Sequence, residues 1–305
     1  MTLAHALSRQ VPVRLNILND GTDRSLPDDA LTHLDGIDWH LDYGPPEDNA
    51  DVVILDLEQS GHLRCLKHPG ARHQRCLALD WFNPSRLPSI TVNLLDHSDQ
   101  MRAAYAADAR LNDYREGPDY AIIRPGILAL RTAAPAAESV RSIVVTMGGA
   151  DPSRRALEAV QKLHQMAAQH SRVTVIIGPL VPAAHEKDLR LASPGNFLIL
   201  RNPIDFDQHL ANADVVLCSG GGTLLESLSL GRPTVVFPQN DAEETHARFH
   251  VEAGACVFAD SLRQVLADHG LRNSLVEKAR RQVDGRGVER IAEAALELLH
   301  RDSSV

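Results

Sequence analysis

Short apolar runs alternate with amphipathic stretches along most of the chain, the signature of strand–helix–strand units built on parallel sheets. In the first half, PVRLNIL (12–18), DVVILDL (51–57), RCLALDW (75–81) and SITVNLL (89–95) predict strands, with DYAIIR (119–124) as a fifth. The segment 131–138 is small, proline-containing and aperiodic, and reads as a linker between a domain at 1–132 and another at 140–305. Beyond it the pattern predicts strands at 142–147, 173–178, 196–200, 214–219, 233–237 and 255–259. Helices starting at Pro152, Ala184, Asp205, Gly222 and Glu243 separate them, and two more helices close the chain. Six strands alternating with helices make a Rossmann-like series. The chain opens with TLAHAL, a helix-like stretch with no strand before it, so the first domain is expected to lack its first strand and the glycine turn that follows it.

Length and composition narrow the class. A chain of 305 residues, 44% hydrophobic and 23% charged, can bury a core in each of two domains. Its 31 Lys and Arg against 40 Asp and Glu give a net charge of −9. That balance argues against a non-specific nucleic-acid binder, which needs a basic face, but not against a pocket for one small anion. No apolar run approaches the ~18 residues of a membrane span, and no basic-then-apolar leader is present, so the expectation is a cytoplasmic protein. Cys65, Cys76, Cys218 and Cys256 form no CxxC pair and read as reduced, mostly buried thiols. A monomer or weak homo-oligomer is expected.

The strongest chemical signal is Cys218-Ser219-Gly220-Gly221-Gly222-Thr223, which ends a strand and opens a helix carrying Glu226. Three glycines let backbone N–H groups approach an anion, and the helix N-terminus adds the positive end of its dipole. A turn needing only positive φ would require one glycine. The run is neither GxGxxG nor a P-loop, and no lysine follows it. A second loop, Met147-Gly148-Gly149-Ala150-Asp151-Pro152, ends the first strand of the later domain. Asp151 and Pro152 predict a helix start with a carboxylate cap and proline in the first turn. Gly148 and Gly149 fall at the edge where open α/β sheets bind ligands. Glu243, His246 and His250, at spacings of three and four, could share a helix face, either as a solvated, charge-paired face or as a metal or acid–base site. Asp56 and Asp80 end predicted strands, where an Asp can serve a turn or a ligand.

Met147-Gly-Gly-Ala-Asp-Pro152, Ala213 through Glu226, Leu230-Gly-Arg-Pro-Thr-Val-Val-Phe-Pro238 and Gly117 through Pro125 resemble the UDP-sugar hydrolases of pseudaminic-acid biosynthesis. That family lies in the GT-B superfamily of the peptidoglycan N-acetylglucosaminyl transferase. The resemblance implies an α/β, GT-B-like fold of two Rossmann-like domains with a cleft between them. It implies a UDP-sugar ligand, with diphosphate near Ser219, Gly220, Gly221, Gly222 and Thr223, ribose on Glu226 and uracil near Ile204. Gly148 and Gly149, with Glu243 and Glu244, would complete the nucleotide-sugar site. The implied reaction is attack of water on the anomeric carbon, releasing UDP and a free diacetamido-trideoxy sugar. No cofactor and no metal are expected.

The chain departs from the family in two places. The family's glycine turn and its water-activating histidine would lie upstream of Met1, and His5 does not replace that histidine, so no catalytic residue is assigned. Ser60-Gly61-His62-Leu63-Arg64-Cys65 is like the missing motif but follows a different strand with a different spacing. After Pro238 the family tends to carry Asn-Gln where this chain has Glu243 and Glu244, and ionised carboxylates only accept hydrogen bonds. The rival readings are a GT-B glycosyltransferase with a sugar or lipid acceptor, and a catalytically inactive nucleotide-sugar-binding homologue.

Overall fold

The computed structural model describes residues 2–12, 14–18, 38–42, 52–55, 75–81, 88–94, 99–107, 113–166 and 171–300. They divide into two compact units, 1–122 with 286–305, and 123–285. The division falls ahead of the aperiodic stretch at 131–138, and the last helix joins the first unit, whereas the sequence pattern assigned it to the second.

In the first unit the helix α1 (Thr2–Ser8) precedes the strands β1 (Arg14–Leu18) and β2 (Asp38–Asp42), which pair in parallel. The apolar pattern did not single out β2. A separate four-stranded parallel sheet follows the chain order: β3 (Val52–Leu55), β4 (Arg75–Leu79), β5 (Ile90–Asn93) and β6 (Tyr114–Glu116). Between its last two strands lies α2 (Asp99–Ala107). The strand expected at 119–124 does not form. Pro118 opens a 3-10 turn over Pro118–Tyr120, and the pairing with β5 is made by Tyr114–Glu116 instead. Proline lacks the N–H that a ladder needs, which explains the shift.

The C-terminal helix α11 (Gly287–His300) lays an apolar face of Val288, Ile291, Ala295 and Leu298 on Leu77, Leu79, Ile90 and Val92 of the sheet. Leu3 and Leu7 of α1 join the same core. Arg75 of β4 donates to the Leu298 and Leu299 carbonyls, capping the end of the helix. Ile291 is fully buried in this cluster. Ile291→Ala is therefore expected to cost about 2–5 kcal/mol. Amide exchange should speed up in Arg75–Leu79 and Ile90–Asn93 while Ser142–Thr146, Arg172–Ile177 and Val215–Cys218 of the second unit stay protected. Unchanged protection in β4 and β5 would contradict this packing.

The second unit begins with α3 (Pro125–Ala129) and holds six parallel strands: β7 (Ser142–Thr146), β8 (Arg172–Ile177), β9 (Phe197–Arg201), β10 (Val215–Cys218), β11 (Thr234–Val236) and β12 (Val257–Phe258). The connecting helices are α4 (Arg155–Gln165), α5 (Ala183–Ala192), α6 (Phe206–Ala211), α7 (Gly222–Ser229) and α8 (Asp241–Glu252). After β12 come α9 (Leu262–Ala267) and α10 (His269–Gln282). The central strands β7, β8 and β10 are buried on both faces, so they read as near-continuous apolar runs. Ile143, Val145, Val173, Val175, Val215 and Leu217 form the middle of this core.

Candidate functional site

The strand order β12-β11-β10-β7-β8-β9 reverses direction between β7 and β10. Loops leaving two such strands part to opposite faces of the sheet and open a crevice at its carboxyl edge. Here the two loops are Met147-Gly148-Gly149 and Ser219-Gly220-Gly221, the two glycine runs singled out by the sequence. A Cβ on Gly148, whose φ is +75°, would stand 3.9 Å from Ser219 Oγ, so the loops face one another.

Gly220 is needed for packing. A Cβ there would lie 2.8 Å from the Glu243 Cβ and closer to its carbonyl oxygen. In return, Glu243 Oε2 accepts hydrogen bonds from the Gly220 and Gln239 amides, each at 2.9 Å. Gln239 Nε2 donates to the Met147 carbonyl at 2.8 Å. The loop after β11 thus ties the ends of β7 and β10 together. Glu243 contributes to the glycine turn's geometry, with Oε1 on the Gly221 side. By contrast a Cβ on Gly221 would meet nothing nearer than that oxygen, at 3.7 Å, and one on Gly149 or Gly222 would meet nothing within 4 Å.

Helix N-termini at this edge differ in how they are capped. Asp151 accepts from the amides of Arg155 (2.7 Å) and Ala156 (3.1 Å) at the start of α4. Its carboxylate caps the helix as expected. However, α4 begins at Arg155, after Asp151 and Arg154 in left-handed backbone, so Pro152 lies in a preceding turn rather than at the first helical position. Burial raises the Asp151 carboxyl above its ordinary value, against the opposite pull of those two amides. Asn240 caps α8 by accepting from the Glu243 amide at 2.9 Å. Between these two helices, α7 has Gly221 at its N-cap and no side-chain cap. The first amides of a helix have no intrahelical acceptors, so this terminus is suited to an anion.

Glu226 lies one turn into α7, its side chain only 13% exposed. Its Oε1 accepts from Arg124 Nε at 2.7 Å, and Arg124 Nη2 meets Asp207 Oδ1 of α6 at 2.8 Å. The same guanidinium stands 5.5 Å from the centre of the Phe206 ring. Although partial burial opposes it, the two carboxylates raise the Arg124 pKa. Ile204, two residues before Phe206, is fully exposed on the loop following β9. Arg124 therefore links the helix that follows the Ile204 loop to the carboxylate expected to hold ribose.

The remaining candidates take other positions. Glu244 pairs with Arg248 and, with Arg155, Asn240 and Phe258, lines a cavity of about 300 Å³ beside the ends of β11 and β12. His246 and His250 are buried and stack edge to face at 4.7 Å, with His250 Nδ1 2.8 Å from Gln282 Oε1, so this face of α8 is packed rather than solvated. Among the described residues no group of three or more His, Cys, Asp or Glu is arranged to hold a metal ion. Cys76, Cys218 and Cys256 are buried, and Cys218 and Cys256 are free thiols. Burial raises the Cys218 thiol well above its ordinary value and pushes Cys256 up to about 12. Asp80 accepts from the Leu94 amide at 2.8 Å and serves the strand end. Asp56, Cys65 and the His62 segment lie outside the described residues. No helix among the described residues is long and apolar enough to cross a membrane.

Sequence reasoning missed Arg124, Asp207 and Gln239. Gln239 follows the end of β11, so its place at the carboxyl edge was implied by the alternation itself. Arg124 interrupts the apolar run Ala121-Ile122-Ile123, a charge that called for a partner.

The comparisons agree with this architecture. Residues 142–280 match the family described as glycosyltransferase family 28 C-terminal domain. The chain is 22% identical over 200 residues to the spore coat polysaccharide biosynthesis protein SpsG of Bacillus subtilis, a match covering 61% of this chain and 59% of that relative's length. The structure of MurG from Acinetobacter baumannii superposes with a TM-score of 0.62 at 14% identity, covering 97% of this chain and 94% of that one. The S. aureus MnaA–UDP structure gives 0.66 at 12% identity, over 99% and 94%. The chain carries a GT-B-like fold of two parallel-sheet α/β units, and most of its second unit matches the glycosyltransferase family 28 C-terminal domain.

Proposed function

We propose that this chain binds a nucleotide diphosphate sugar at the carboxyl edge of the second unit and transfers the glycosyl group from the diphosphate to an acceptor. One observation carries the reading: the helix terminus at the switch point has no side-chain cap, whereas its neighbours are capped by Asp151 and Asn240. The amides of Gly221, Gly222 and Thr223 would hold the diphosphate, Glu226 Oε2 would accept from the ribose hydroxyls, and Ile204 would cover the base. During transfer the anomeric C–O bond breaks and its electron pair leaves with the nucleoside diphosphate. The helix terminus would favour that departure by stabilising the charge gathering on the phosphate oxygens.

The narrower form of the reading takes UDP as the nucleotide and water as the acceptor, giving UDP and a free diacetamido-trideoxy sugar. The motif likeness at Met147–Pro152, Ala213–Glu226 and Leu230–Pro238 supports it. The match to a polysaccharide-biosynthesis protein is equally consistent with a sugar or lipid acceptor, and the family 28 match supports that wider class.

Incubating the protein with UDP-sugars and separating the products tests both forms. Free sugar in step with UDP marks the hydrolase, and UDP formed only when a sugar or lipid acceptor is added marks the transferase. Binding without turnover leaves a nucleotide-sugar-binding protein. Failure to bind any nucleotide sugar would overturn the proposal. Since backbone amides supply the phosphate contacts, UDP affinity is expected to be unchanged in EDTA.

A further inference from the structure

We infer that Arg124 is a positioning residue that presets Glu226 for the nucleotide's ribose hydroxyls; this rests on the nucleotide site proposed above. The guanidinium is divided between two carboxylates on different helices, its Nε donating to Glu226 of α7 and its Nη2 in ion-pair contact with Asp207 of α6. Such a division fixes the plane of the fork, and Phe206 flanks it. The fit is built into the chain. A Cβ on Gly126 would lie 3.5 Å from the Asp207 carboxyl carbon and nearer still to its oxygen, so the backbone after Arg124 is seated on Asp207.

The consequence follows from the atoms engaged. Glu226 is mostly buried, and a polar group there is costly unless it is paired and hydrogen-bonded. Arg124 pairs with Oε1, which leaves Oε2 as the acceptor for the ribose hydroxyls. Arg124 does not itself touch the nucleotide in this arrangement. It sets the rotamer of the group that does. Asp207 holds the other arm, so it supports Glu226 at one remove.

The test compares UDP with 2′,3′-dideoxy-UDP by calorimetric titration of the full chain and of R124Q, R124K, D207N, E226Q and the R124Q/E226Q double variant. Loss of a charge-assisted hydrogen bond makes wild type prefer UDP by about tenfold. R124Q is expected to reduce that preference to about twofold, with little change in affinity for the dideoxy analogue. R124K should not restore it, because one ammonium cannot span both carboxylates. D207N should reduce it partially, and the double variant should be no worse than E226Q alone. If R124Q weakened both ligands by the same factor, Arg124 would be a phosphate contact or a general support, and the inference would fall. An unchanged preference in R124Q would also overturn it, leaving the nucleotide site standing. If wild type bound neither ligand, the site and the inference would fall together.

Discussion

Gly221→Val is expected to weaken UDP binding at least about a hundredfold while leaving the unfolding free energy within about 1 kcal/mol of wild type. The backbone at Gly221 has φ −90° and ψ −151°, an extended conformation whose negative φ does not call for glycine. A Cβ there meets nothing in the protein closer than 3.7 Å, so the site has room for the first side-chain atom. The branched side chain would instead stand over the first amides of α7, where the diphosphate is proposed to sit. Blocking two hydrogen bonds to a charged phosphate, at about 1.5 kcal/mol each, accounts for the expected hundredfold loss. Calorimetric titration and urea unfolding of the same preparation separate the two effects. A variant that bound UDP as wild type does would show that the diphosphate lies elsewhere.

Gly178→Ala is expected to act through the fold instead, costing about 2–3 kcal/mol of stability, near the upper end of the range for overpacking. Gly178 follows β8, and a Cβ there would lie 2.5 Å from the Gly149 Cα and closer to the carbonyl oxygens of Gly148 and Gly149. These are backbone atoms, which cannot swing aside as a flexible side chain can. The loop is also held by the Leu180 amide donating to the Gly149 carbonyl at 3.0 Å. Relief therefore requires moving the Gly148–Gly149 loop, and nucleotide affinity should fall along with stability. A urea midpoint equal to wild type would contradict the packing described.

The contrast between these glycines shows what the sequence could and could not convey. The alternation of buried strands and amphipathic helices placed every strand of the second unit, because β7, β8 and β10 are buried on both faces and β11 is bounded by Pro233 and Pro238. It marked the Gly220–Gly222 run as an anion turn but could not distinguish its members. Gly220 is small because Glu243, 23 residues away, packs on it. Periodicity carries no information about such contacts. Likewise Arg124 is separated from Glu226 by 102 residues, and only the fold brings them together. In the first unit the strand at Tyr114–Glu116 is three residues long, too short for a period-two pattern to show, and the apolar run beyond it was taken in its place. The last helix looks like any amphipathic helix, and nothing local shows that its apolar face fits Leu77, Leu79, Ile90 and Val92.

The central claim is that the N-terminus of α7 holds the diphosphate of a nucleotide, and amide chemical shifts during a UDP titration test it most directly. The account predicts saturable shifts at the amides of Gly221, Gly222 and Thr223, with a smaller change at Glu226. Shifts confined to the cavity beside Phe258, or a spectrum unmoved by UDP, would contradict it.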